Sequence, residues 1–211
     1  MAARFLDDAA RAAFAHAVET VENASAVEVV VAVRRRSAAY RQINVAIGAA
    51  VAFAGLAATL FSSHVFGLAS ILVDPFVLGI AAGALVELVP HAKRVLTPRA
   101  ARHAQVTRAA RATFVERGVH ATTGRSGILV YISWLERDIA LVADLGLARA
   151  LPVGVLAAAE AKLTAAMPKG GAEVARALEA LAPVMARAMP HRDDDVNELP
   201  DAIDSDLEGR R

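Results

Sequence analysis

INVAIGAAVAFAGLAATLF, residues 43–61, and PFVLGIAAGALVELV, residues 75–89, decide how this chain is read. The first block is 19 residues long, and only Asn44 and Thr59 in it are polar. A helix of that length rises ~29 Å, about the thickness of a bilayer's hydrocarbon core. The second block, Pro75 to Val89, is shorter. It reaches spanning length if Leu68 to Val73 precede it, or if the helix continues past Pro90 through HAKRVL. Asp74-Pro75 is itself a good helix start, with a carboxylate at the N-cap and a proline at the first helical position. The alternative is a buried core hairpin in a soluble protein, but nothing else here could wrap two helices so apolar on every side. The expectation is a transmembrane helical hairpin over residues 43–95.

The flanking charges orient that hairpin. Arg34, Arg35, Arg36 and Arg41 precede it, and Lys93, Arg94, Arg99 and Arg102 follow it. The connection from Ser62 to Asp74 holds no Lys or Arg. By the positive-inside rule both ends face the cytoplasm and the short loop faces out, which describes a multi-pass protein of the cytoplasmic (inner) membrane. The first 20 residues include Asp7, Asp8 and Glu19, so they read as neither a signal nor a transit peptide. A hydrophobic share of 56% and a mean hydropathy of +0.42 fit two spans in a chain of 211 residues. A net charge of +1 gives no global field for nucleic acid. With no cysteine, disulfides, thiolate metal sites and cysteine nucleophiles are excluded.

Roughly 160 residues lie outside the hairpin, enough for one domain with a core. DDAARAAFAHAVETVEN, from Asp7, reads as an amphipathic helix with Phe14, Val18 and Val21 at helical spacing. Val27 to Val33 is a β-branched run too short for a helix and reads as an interior strand. Thr97-Pro98 open a helix that ends at Gly118. Gly127 to Ser133 and Asp138 to Ala143 read as an antiparallel pair, apolar on both faces like central strands, turning at Leu135-Glu136-Arg137. Helices are expected over Pro152 to Met167 and Ala172 to Met189, the second kinked at Pro183. Residues 190–211 show no periodicity and read as an acidic disordered tail. One strand lies before the hairpin and two after it. The hairpin therefore interrupts a single α/β domain, made of residues 1–36 and 97–189.

Val21-Glu22, Ser25 and Glu28 followed by VVVAV resemble the opening of the TPM-domain family. GILVYISWLERDIALVADLGL is similar to that family's central hairpin. Asn197-Glu198-Leu199-Pro200-Asp201 resembles a tail of its membrane-anchored bacterial members with two spans in this place. The resemblance covers roughly residues 6–36 and 98–189, and it implies a small mixed sheet covered by helix pairs. It also implies acid phosphatase activity, calcium or magnesium held by acidic residues, or maintenance of membrane complexes. Two departures stand where that chemistry would sit. Arg125-Ser126 replace an acidic or amide pair before Gly127, and Asp144-Leu145-Gly146 replace a Gly-x-Gly exit.

The carboxylates nearest the strand ends are Asp138, Asp144, Glu22 and Glu28, the candidate ligands for a hard cation such as Ca2+ or Mg2+. Read plainly, they are solvated strand-end charges and helix caps. His16, His64, His91, His103, His120 and His191 show no metal-ligand spacing. Gly124-Arg125-Ser126-Gly127 is not a nucleophile elbow, and no phosphate-loop pattern occurs. The juxtamembrane Arg34, Arg35, Arg36, Arg41, Lys93 and Arg94 suit anionic headgroups. Asp74 and Glu87 read as interfacial charges rather than a transport path. Gly48 and Ala52, with Gly79 and Gly83, suit packing of the two spans or a homo-oligomer. The expected function is a non-enzymatic interaction or assembly module in the lipid bilayer beside other membrane proteins. A metal-dependent phosphatase is the alternative.

Overall fold

The computed structural model describes residues 5–191, 198–199 and 202–207. Its first helix, α1 (Asp8–Ala24), starts where Asp7 accepts the Ala10 N–H at 2.9 Å, satisfying one donor that a helix start leaves orphaned. Phe14, Val18 and Val21 form its buried stripe. β1 (Val29–Arg34) follows, two residues later than the valine run begins. Residues 39–101 form a compact unit of their own, with α2 (Arg41–Phe61), α3 (Leu68–Glu87) and α4 (Pro90–Leu96). The remainder of the chain forms the other unit. Its later elements are α5 (Arg99–Glu116), which begins in the first unit, then β2 (Ile128–Ser133), β3 (Asp138–Ala143), α6 (Leu145–Ala150), α7 (Val155–Ala166), α8 (Gly171–Glu179), α9 (Ala182–Ala188) and β4 (Asp204–Ser205).

The sheet has the order β3-β2-β1-β4. β1 and β2 run parallel from Val29 opposite Ile128 to Arg34 opposite Ser133, while β2 and β3 form the expected antiparallel pair. This is a mixed α/β fold. Side chains alternate across the pleat. Val29, Val31 and Val33 join Ile128, Val130 and Ile132 on one face, packed with Phe14, Leu163, Val174 and Met185 from the helices. Val30, Ala32, Leu129 and Tyr131 take the other face, under Val106, Ala110 and Phe114 of α5.

In the unit of residues 39–101, α2 and α3 meet through glycine. A Cβ on Gly79 would lie 2.5 Å from the Gly48 carbonyl oxygen and 2.8 Å from the Ala52 Cβ, and one on Gly83 would lie 2.9 Å from the Asn44 carbonyl oxygen. The small faces named by the sequence are therefore used to pack the pair against itself. The outer faces stay bare, with Phe53 75% and Ile80 74% exposed. Both helices are long and apolar enough to cross a membrane, by length and composition.

Several expectations are corrected. Of the two starts the sequence left open for the second apolar helix, the one through Leu68 to Val73 is taken, with Pro75 inside the helix, and the connection shrinks to residues 62–67. β3 lies at a sheet edge, not in its centre. Residues 145–150, read as an exit from the strand, are helical because Asp144 caps them, its carboxylate accepting the Leu145 N–H at 2.7 Å. The helix expected to kink at Pro183 is two helices, since proline sits best in a first turn. The described part of the tail is built into the sheet as β4, parallel to β1. Its partners, the β1 backbone at Ala32 and Val33 and the side chains of Arg34 and Arg117, lie far away in sequence, so no local periodicity announces them. The expectation for residues 192–197, 200–201 and 208–211 lies outside the described residues.

Candidate functional site

The four carboxylates named as metal ligands each hold a group of the protein. Glu22 accepts the Val29 N–H at 3.0 Å and so fixes the entry to β1. Glu28, 6% exposed, accepts the backbone N–H groups of Glu198 and Leu199, both at 3.3 Å. Asp138 faces His103 across 2.9 Å, and the other ring nitrogen of His103 lies 3.7 Å from Glu160. Asp144 caps α6, with Arg125 3.7 Å from its Oδ1, while its buried Oδ2 has no hydrogen-bond partner. Among the described residues no three His, Asp or Glu side chains are grouped to hold a metal ion. A hard cation wants several oxygens around one point. These four carboxylates, each turned to a different donor, do not fit that demand.

Sequence reading missed the polar pair on α7. Glu160 and Thr164 face the free edge of β3, accepting the Leu141 and Ile139 N–H groups at 3.0 and 3.3 Å. An open edge is a template for unwanted pairing, and these side chains occupy its donors. The pattern was not visible because only the fold turns this face of α7 onto the edge of β3.

A second polar group gathers at the carboxyl ends of β1 and β2. Glu136, 2% exposed, accepts the Ser37 N–H at 3.0 Å and the Ser133 hydroxyl. The Ser37 hydroxyl lies 2.8 Å from that of Ser133 and 3.4 Å from that of Tyr131. Burial pushes the Tyr131 phenol above its ordinary value. Beside it, burial works against the Arg34 charge, but the hydrogen bond and charge of Asp204 more than offset it, leaving the guanidinium above its ordinary value. Arg117 reaches the same Asp204 carboxylate at 2.5 Å.

The arginines and lysine expected at the bilayer edge divide accordingly. Arg34 is engaged by Asp204, and Lys93, 2% exposed, pairs with Glu87. Glu87 also accepts the Asn44 amide at 2.8 Å, so this acid ties the base of the hairpin together. Arg35, Arg36 and Arg41 have exposed side chains and Arg94 is half-buried.

No family model matches this chain, and no curated protein matches it. Among solved structures it is similar to the NMR structure of the BA42 protein from the psychrophilic bacterium Bizionia argentinensis. The TM-score is 0.57 at 13% identity, over 95% of each chain. At that identity the likeness speaks to the mixed α/β fold alone.

Proposed function

We propose that this protein is a membrane-anchored domain of TPM type that works as a non-enzymatic interaction or assembly module for other membrane proteins. The observation that carries the reading is the division of labour between its polar and apolar parts. Glu22, Glu28, Asp138 and Asp144 hold backbone amides, a histidine and a helix end. The hairpin meanwhile presents large apolar side chains on faces that its own packing does not use. Such a hairpin fixes a folded domain at a bilayer surface, and the exposed Arg35 and Arg41 suit the side facing anionic lipid. Because the chain has no cysteine, Ser63→Cys is a clean reporter of its placement. A membrane-impermeant thiol reagent is expected to label Ser63→Cys on intact cells and to leave Ser126→Cys unlabelled. The reverse pattern would invert the topology.

A metal-dependent phosphatase is the second reading, and the buried, unpartnered Oδ2 of Asp144 is the observation in its favour. Losing a metal ligand lowers turnover by orders of magnitude. The interaction-module reading expects purified protein to show no calcium- or magnesium-stimulated phosphatase activity above that of Asp138→Asn/Asp144→Asn. A stimulated activity that disappears in the double variant would replace the module with the enzyme. Cross-linking and pull-down from membranes tests the module directly, since it must recover defined membrane proteins.

A further inference from the structure

The edge of β1 away from β2 is covered by a strap of the chain's own tail. At one end Glu28 accepts the Glu198 and Leu199 N–H groups. Leu199 joins the apolar cluster on one face of the sheet, and Ile203 and Leu207 join the cluster on the other. At the far end Asp204 lies between Arg34 and Arg117. Asp206 accepts the Arg35 N–H at 2.6 Å and donates its own N–H to the Val33 carbonyl at 3.2 Å. The ladder itself is only two residues long, Ala32 opposite Asp204 and Val33 opposite Ser205.

Two properties separate this strap from a permanent strand. Its register is set by charges at its two ends more than by a ladder. The surface beneath it also carries fixed charge among its apolar positions, an acid at one end and a basic pair at the other, with Arg117 half exposed. Strands fixed between permanent neighbours are instead apolar throughout.

We infer that the β1 edge is a strand-docking groove for an acidic extended segment of another protein, and that residues 198–199 and 202–207 occupy it as a competing ligand in cis. The inference rests on the interaction-module reading and names the surface that module uses. The groove selects two consecutive backbone N–H groups at Glu28, a carboxylate between Arg34 and Arg117, and a second carboxylate two residues on at the Arg35 amide. A leucine follows directly. Strand addition draws affinity from the main chain and selectivity from such alternate positions. The opposed charges also fix the direction, parallel to β1. A second copy is the poorer occupant, because exchanging tails reproduces the same contacts while losing the freedom of two separate molecules. A tethered tail acts at an effective concentration of about millimolar, so docking is governed by whatever loosens the tail.

The test uses the full chain with a protease recognition site in place of residues 191–197, and a fluorescent peptide of residues 198–207 as probe. Uncleaved protein is expected to ignore the probe. Cleaved protein, cleared of its released tail, is expected to bind it saturably. Asp204→Lys in the probe should weaken binding by about tenfold or more, as removal of a paired charge does. Arg117→Glu in the cleaved protein should restore binding of that altered probe. The proposal is overturned if the cleaved tail stays bound against a large excess of probe, or if its loss abolishes the folded circular dichroism spectrum. It is equally overturned if the Asp204→Lys probe binds as tightly as the parent, or if uncleaved chains form tail-dependent dimers, which would give the edge to a second copy. The assay addresses the edge alone, so its failure leaves the cross-linking test of the interaction module standing.

Discussion

Glu136 sits in a turn and is nonetheless almost fully buried, because it supplies acceptors that two other segments lack. Its carboxylate receives the Ser37 amide just beyond β1 and the Ser133 hydroxyl at the end of β2. Glu136→Ala strands both donors away from water, and the expected loss is about 2–4 kcal/mol in urea unfolding of the detergent-solubilised chain. Glu136→Gln keeps one acceptor and should lose about half as much. Tyr131, in contact with the same group through Ser37, gives a pH dependence with a definite sign. Its folded-state value is raised above the ordinary value of about 10, so its contribution is complete below that pH and lost as the pH rises through the folded value. Tyr131→Phe should therefore hold its unfolding midpoint further into the alkaline range than the parent does. Equal alkaline loss in both proteins would remove the phenol from the account.

Between α2 and α3 the glycines leave no room for a side chain. Gly79→Leu must push the helices apart, since even a Cβ there meets the Gly48 carbonyl oxygen and the Ala52 methyl. Overpacking of this kind costs about 1–3 kcal/mol or more, and thermal aggregation in detergent should begin at a lower temperature. Gly67→Ala, with nothing within 4 Å of its Cβ, should match the parent and so control for the substitution itself. At this scale the sequence was legible wherever an element carries its own signal. The valine run marked β1, Thr97-Pro98 marked the start of α5, and the apolar blocks marked the hairpin. Asp74-Pro75 offered a helix start that was not used: Pro75 is buried within α3, where a Cβ on Gly55 would lie 3.6 Å from it. β4 was illegible for the opposite reason. Asp204 and Ser205 are poor strand formers, and they are held by Arg34, Arg117 and the β1 backbone. Candidate ligands such as Asp138 were found as residues but not with their partners, because Asp138 and His103 meet only through the tertiary fold.

For the whole molecule, the division into two units makes the hairpin removable. Replacing residues 43–93 with a short Gly/Ser linker should give a soluble protein with cooperative unfolding, since both clusters around the sheet draw on residues outside that stretch. Two pieces separable by protease, neither of them folded, would show that the sheet depends on the hairpin. The sheet's order also carries a consequence in time. β1 is its earliest strand, yet its neighbours arrive late: Val29 pairs with Ile128 of β2 and Ala32 with Asp204 of β4, offsets of 99 and 172 residues. At the usual pace of translation, ~5–20 residues per second, β1 waits about 5–20 s for β2. During that interval the hairpin emerges and must find its place while Val29 to Val33 have no strand beside them. A nascent chain stalled before residue 128 should therefore be held by chaperones, and one stalled well past residue 143 should be released, because only the second can hide its valines.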